Sequence, residues 1–487
     1  MIWTLIGGGA HRTLGTVRSA LREQVFQGGG EIRIYDLDAS RAQAMAMMIE
    51  KSPEHAACPV PVRWDLTQVQ ALEGADAVNV TLLAGGTRPL WIQRELSKSY
   101  GFLGSDNLSY TGAFLALRGA PILLGIARQM ERYCPDAVLL EFANPVAVLT
   151  ALVRQQTSIR CYGICAGHNN HGWDLHRILT GEDRYNPNFQ VEVAGVNHLS
   201  FITRGSLDGR ELKQLLLERE ERCPDWAERI RFTPEKDAST REYMVYGMKR
   251  TMELLHEQDA LLFSTEPDGY SHLFHEAALA RQAAYPRAEG DGLLPPEGMA
   301  AFERACADDL TRRQQENRRF ARYASLPADE IPWEDSQGTG MFTVPDRGDV
   351  TSKVLAGLAG VREDVVAVSD LNGGAVENID PSFVLEYTHR VDQKGLHPVT
   401  GLEIPKGVYS MVASLACHQT LLAQAAGAED PLLLYRALRA YPIRPDSRDA
   451  HELWVKLLRS CLGQIDPGFA GLEQLCRSCL LYTSRCV

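Results

Sequence analysis

The chain has no run of eighteen uncharged apolar residues, which argues against a membrane-spanning helix. Positive charge is in the minority. Lys and Arg number 50 against 62 Asp and Glu, a formal net charge of −12, which argues against nucleic acid or an anionic membrane as a partner. The N-terminus shows neither a basic leader nor a cleavage site and runs straight into a strand-like segment. Internal repeats and low-complexity linkers are missing, and the Pro/Gly-rich stretch 290–296 reads as a loop inside a second domain. Eleven cysteines, an odd number without a secretory signal, point to reduced thiols and a cytoplasmic location. What is present is 487 residues with 45% hydrophobic content, enough to bury one large core or two closely packed ones.

The N-terminal segment is the best constrained. Trp3 to Ile6 is a short apolar run of β propensity, followed by Gly7, Gly8 and Gly9 and then by an amphipathic helix expected over Thr13 to Gln24. Glycines at this turn let the backbone approach a pyrophosphate and present it to the free N–H groups of the helix N-terminus. Gly7, Gly9 and Ala10 are the candidate cofactor-binding residues of the turn, although the usual third glycine is missing. A second strand, Glu31 to Tyr35, ends in Asp36, where a carboxylate can accept from the adenine ribose hydroxyls and repel a 2′-phosphate, favouring NAD over NADP. A glycine-rich loop alone is a weak signal. The order strand, glycines, helix, strand, Asp is a stronger one.

Asp76 to Leu83 reads as a third buried strand, Gly112 to Tyr133 as a long helix and Ala137 to Phe142 as another strand, ending in Ala143-Asn144-Pro145. The alternation predicts an α/β protein with a doubly wound, mostly parallel sheet and a ligand site beyond the C-terminal ends of its strands. Asn144 stands at such an end. It is either a turn residue before proline or an amide that holds a substrate hydroxyl or the nicotinamide. Further on, GICAGHNNHGW and VAGVNHLSF place Cys165 and His198 about thirty residues apart. A thiolate and an imidazole can hold a metal beside a nicotinamide. They can equally be a buried thiol and a core histidine.

The stretches IGGGAHRT, IYDLD, LAGGTRPLW, the block from YGFLGSDNLSYTG to LLEFANPVAVLT, GICAGHNN, GVNHLSF and VSDLNGGAVENIDPSFVLEY with GLHPVTGLEIP resemble the NAD- and divalent-metal-dependent glycosidases of glycoside hydrolase family 4. The resemblance runs from about residue 2 to about residue 460. It implies a Rossmann-like N-terminal domain over 1–197 and a C-terminal α+β domain over 198–475, as in lactate and malate dehydrogenases. The ending CLLYTS resembles a translated sequencing adapter, so 479–487 is expected to be a non-native tail. The implied reaction oxidises C3 of a glycoside with NAD, removes the C2 proton, eliminates the aglycone, adds water and re-reduces C3, with no net use of NAD. Cys165 and His198 match the family's metal ligands, for which Mn2+ is the expected ion, and Asn144 matches its substrate-contacting asparagine. Arg88, in LAGGTRPLW, is a further substrate-binding candidate. A homodimer or homotetramer is expected.

The acid and the base stay open. The position after the cysteine, polar in many members, is Ala166, so the general acid is either His168 or His171 a few residues on, or Asp106. The base falls in EKDASTREYMVYGMKR: Asp237, which would share a helical face with Arg241, or Tyr243 or Tyr246. STEPDGYSHLFHE gathers Glu266, Asp268, His272, His275 and Glu276, with His272 and Glu276 spaced to face a site together or simply to open a helix near one. The alternative function is a NAD-dependent 2-hydroxy-acid dehydrogenase, which has no need of the Cys165/His198 pair.

Overall fold

A computed structural model describes residues 1–165, 175–176, 179–180, 186–225, 249–265, 267–274, 286–288, 290, 292–333, 349–443 and 447–483. Its strands are β1 Ile2–Ile6, β2 Glu31–Tyr35, β3 Val62–Arg63, β4 Ala77–Val80, β5 Val138–Glu141, β6 Arg160–Gly163, β7 Phe189–Val196, β8 Leu199–Leu207, β9 Arg210–Glu211, β10 Leu261–Thr265, β11 Asp364–Leu371, β12 Val384–Asp392 and β13 Gly395–Pro398.

The first six strands form a parallel sheet in the order β3-β2-β1-β4-β5-β6, the dinucleotide-binding order expected from the alternation of strands and helices. Burial on both faces explains why β1, β4 and β5 read as apolar runs rather than alternating ones. Trp3, fully buried in β1, satisfies its indole N–H on Oδ1 of Asn79 in β4 at 2.7 Å.

The C-terminal half does not build a separate sheet. Strands β11, β12, β7, β8 and β10 continue from β6 as antiparallel neighbours, giving thirteen strands in one sheet with β13 and β9 on its flanks. The seam is a single residue pair, Ser369 of β11 opposite Gly163 of β6. A Cβ on Gly163 would come within 2.3 Å of Oγ1 of Thr150 and 2.4 Å of Cγ1 of Val146, so only glycine fits there. The boundary expected between 197 and 198 falls in the tight turn joining β7 to β8, so a division there separates two hydrogen-bonded strands.

Element ends differ from the expected ones for local reasons. The first helix is Arg12–Arg22 rather than Thr13 to Gln24, because Gln24 takes a left-handed φ of 61° that stops it. The long helix Tyr110–Tyr133 begins two residues early because the Ser109 side chain caps it by accepting from the Thr111 N–H. That helix is long and apolar enough to cross a membrane, but it is mostly buried in the core, where its Arg118 donates to Oε1 of Gln93 at 3.0 Å. The helix Pro296–Ser325 leaves the C-terminal half and lies across the nucleotide-binding half. Lys51 donates to its terminal carbonyl at Ala324, and His11 stacks on Phe320 with ring centroids 4.8 Å apart.

Candidate active site

The glycine turn is shaped by close backbone approach. Gly7 has φ +73°, and a Cβ there would lie 1.9 Å from the Thr81 carbonyl oxygen. Gly7 and Gly8 donate to the Tyr35 carbonyl at 2.8 and 3.0 Å, and Ala10 closes the turn on the Gly7 carbonyl at 3.3 Å. Asp36, at the end of β2, accepts from the Gly9 N–H at 3.0 Å and from the Asp38 N–H at 3.0 Å. Arg41 donates to the Gly9 carbonyl at 2.9 Å from the other side. The turn and Asp36 are thus one braced unit at the C-terminal end of β1 and β2, with no side-chain cap on the helix that follows. The Thr13 and Leu14 N–H groups already donate to the Ala10 and His11 carbonyls at 2.9 and 3.2 Å, so what this helix start offers an anion is mainly the positive end of its dipole.

At the end of β5, Nδ2 of Asn144 donates to Oδ2 of Asp106 at 3.1 Å, and Arg94 lies 3.2 Å from Oδ1 of the same carboxylate. Buried Glu141, two residues before Ala143, accepts from the Ala143 N–H, and burial pushes its carboxyl far above the usual range. Arg88 pairs instead with Glu303 on the helix Pro296–Ser325, with its guanidinium over the Phe302 ring.

Cys165 follows β6 and is buried. His198, in the turn between β7 and β8, has φ +70°, a conformation that His adopts more readily than most side chains. Its Nδ1 lies 3.0 and 3.1 Å from the two oxygens of Asp268, and its ring is in hydrogen-bond contact with the Cys165 side chain, for which Nε2 is the nitrogen left. Burial opposes charge on His198, but Asp268 and then Cys165 outweigh it and hold the imidazole pKa well above its usual value. Burial would likewise raise Asp268, yet His198, Ser105 and His272 hold it down at about 2.

The turn itself is clamped from below. Asn197, fully buried, donates to Oε2 of Glu386 at 2.7 Å, while Ser200 donates to Oε1 at 2.9 Å and Asn107 donates to Asn197. The structure therefore brings Cys165 and His198 together and, separately, Asn144 with Asp106. His168, His171, Asp237, Arg241, Tyr243, Tyr246, Glu266, His275 and Glu276 lie outside the described residues. Ser105, Asn107, Asn197 and Glu386 were not singled out from sequence. The available signals were an asparagine directly before His198 and a lone carboxylate in the apolar strand VLEY.

A carboxylate and a thiol flanking one imidazole fit a cation. Nδ1 held by a carboxylate is the usual way a protein presents Nε2 of a metal-binding histidine. Among the described residues no group of three or more His, Cys, Asp or Glu side chains converges on one point, so these residues would leave coordination positions for oxygen ligands.

Fold and site together define a dinucleotide-binding α/β protein with a thiol–imidazole pair just beyond β6, the last strand of its parallel sheet. The chain belongs to family 4 of the glycosyl hydrolases: the model of that family matches residues 3–180, and the model of its C-terminal domain matches residues 193–443. It is similar to an alpha-galactosidase of Bacillus subtilis (strain 168), 24% identical over 417 residues, covering 85% of this chain and 86% of that one. An alpha-galacturonidase of the same organism is 24% identical over 488 residues, covering 94% and 97%. Among solved structures, a 6-phospho-alpha-glucosidase from gut microorganisms in complex with NAD and Mn2+ superposes with a TM-score of 0.74 at 17% identity, covering 95% and 98%.

Proposed function

We propose that this protein is a glycosidase that works with NAD and a divalent metal ion, with Mn2+ as the ion. The observation that carries the reading is the Asp268–His198–Cys165 constellation together with a braced nucleotide turn. A 2-hydroxy-acid dehydrogenase has no use for that pair, and the family match over both halves favours the glycosidase. NAD would supply reversible oxidation of a sugar carbon, and the ion Lewis acidity toward adjacent sugar oxygens.

The chain's own residues do the rest. The turn at Gly7, Gly9 and Ala10 binds the pyrophosphate, and Asp36 accepts from the adenine ribose. Cys165 and His198 hold the ion, and Asn144, anchored by Asp106, orients a sugar hydroxyl. The C2 proton passes to Asp237 or Tyr243, with Arg241 beside the substrate, and His168 or Asp106 serves the leaving oxygen. Arg88 would reach substrate only after leaving Glu303. Cys58, Cys134, Cys161, Cys223, Cys306, Cys417 and Cys461 are free thiols, which suits a reducing cytoplasm, and a homo-oligomeric state belongs to the same proposal.

The test is turnover of nitrophenyl galactosides, galacturonides and 6-phosphoglucosides in D2O with catalytic NAD+ and Mn2+. Proton NMR of the released sugar is expected to show deuterium at C2 without accumulation of NADH. A two-carboxylate glycosidase never breaks the C2–H bond, so a C2 proton kept at full intensity overturns the reading. Stoichiometric NADH would identify a dehydrogenase instead.

A further inference from the structure

Asp268 lies on the short helix Pro267–Leu273 after β10, seventy residues from His198 in sequence. Its carboxylate is fixed from three directions. Ser105, in the loop before the long core helix, donates to Oδ2 at 2.5 Å. The Gly269 N–H donates to Oδ1 at 3.0 Å, and His198 Nδ1 lies 3.0 Å from Oδ1.

A second layer holds the carboxylate's own backbone. Nδ1 of His272 lies 2.6 Å from the Asp268 carbonyl oxygen, and Nε2 lies 2.8 Å from the Tyr441 hydroxyl. A carbonyl only accepts, so His272 carries a proton on Nδ1, and its Nε2 shares a hydrogen bond with the Tyr441 hydroxyl. Both ring nitrogens are thus engaged. His272 is a strut rather than a metal ligand, and it ties Asp268 to Tyr441 at the end of the helix Pro431–Ala440.

We propose that Asp268 is the positioning residue for His198: it accepts the Nδ1 proton, which fixes the tautomer and ring angle and presents the Nε2 lone pair to a divalent ion shared with Cys165. The left-handed turn aims the His198 backbone but leaves its ring free to rotate about its side-chain bonds. A carboxylate on Nδ1 removes that freedom and makes Nε2 more basic. The proposal rests on the reading that Cys165 and His198 hold the ion.

Mn2+ binding to the full-length, NAD-free protein, followed by the EPR signal of free Mn2+, tests it independently of turnover. Asp268→Asn keeps the shape and removes the charge. It is expected to weaken Mn2+ binding about 10–100-fold while leaving the NAD+ affinity in place. Cys165→Ala separates the two levels of failure. If wild type does not bind Mn2+, or Cys165→Ala binds it as well as wild type, the metal-site reading falls. If Cys165→Ala loses the ion while Asp268→Asn binds within twofold of wild type, the positioning role of Asp268 falls. Should Asp268→Asn not fold, Ser105→Ala decides, because it frees Oδ2 without touching the carboxylate. A several-fold weaker affinity is expected, and an unchanged one overturns the proposal.

Discussion

Asn144 and Asp106 are joined by a 3.1 Å hydrogen bond that ties the end of β5 to the loop preceding the long core helix. An amide held in this way presents its carbonyl oxygen in one direction. The anchor therefore governs where Asn144 would meet the sugar hydroxyl proposed for it.

Asp106→Asn is accordingly expected to lower kcat/KM about 100-fold, the scale of an ångström of misplacement, and to do so equally for glycosides with good and poor leaving groups. A general acid behaves differently, because its loss penalises poor leaving groups far more. Rates on a series of aryl glycosides of graded leaving-group pKa separate the two outcomes. A steepened dependence on leaving group would show Asp106 to be a proton donor.

At the nucleotide turn, Asp36→Ala removes the acceptor for two backbone N–H groups as well as the one proposed for the ribose. NAD+ binding should weaken by about 1–3 kcal/mol and the preference over NADP+ should narrow. Gly9→Ala should reproduce part of the loss, since its Cβ would sit 2.8 Å from Oδ2 of Asp36 and 2.7 Å from Cβ of Arg41. Fluorescence titration with both cofactors measures each effect. Equal NAD+ affinity in wild type and Asp36→Ala would place the ribose elsewhere.

Glu386 is buried and accepts from two buried donors. Glu386→Ala strands both, at about 1–3 kcal/mol for each group. Urea unfolding should show a loss of roughly 2–5 kcal/mol. A smaller loss would mean that Asn197 and Ser200 find other acceptors.

His418 is buried with its Nδ1 2.7 Å from the Ala437 carbonyl, and burial, assisted by His272, lowers its pKa to about 4. The unfolded chain protonates near pH 6.5, so between that value and about 4 the unfolded state binds more protons than the folded one. Stability should therefore fall as pH drops through this window, by about 2 kcal/mol between pH 7 and 5 from this residue. Urea midpoints at the two pH values should converge in His418→Gln. An equal acid loss in that variant would assign the sensitivity to other groups.

Four of the six parallel strands were readable: β1, β4 and β5 are short, mostly apolar runs ended by turns, a pattern that burial on both faces imposes, and β2 stands just before Asp36, whereas the two-residue β3 and the mixed RCYG of β6 were not read. Asp36 could be named because it stands directly after a strand at the ligand-binding end, whereas Cys165 was named for its pairing with His198 and its match to a family motif, not for the strand β6 that precedes it. The antiparallel half was not read, because its pairing is set by partners far away in sequence, such as β12 between β11 and β7. Asp268 was noticed only as one of a cluster with His272. Sequence spacing paired His272 with Glu276 instead, whereas three-dimensional contacts send the Asp268 carboxylate to His198 and the His272 imidazole to Tyr441. Glu386 and Asn197 escaped for a related reason. A buried polar residue announces itself only through the partners that satisfy it, and these come from three separate segments.

The single-pair seam between Gly163 and Ser369 bears on how the chain is made. When β6 leaves the ribosome, the parallel half has every strand it needs except the neighbour of its last one. That neighbour, β11, is translated about 200 residues later, roughly 10–40 s at ordinary elongation rates. For that interval the nascent protein carries an unpaired strand edge, an invitation to pair with another chain. Synthesis thus places its greatest demand on chaperone cover in the middle of translation, and any product that stops before residue 364 keeps that edge bare for good.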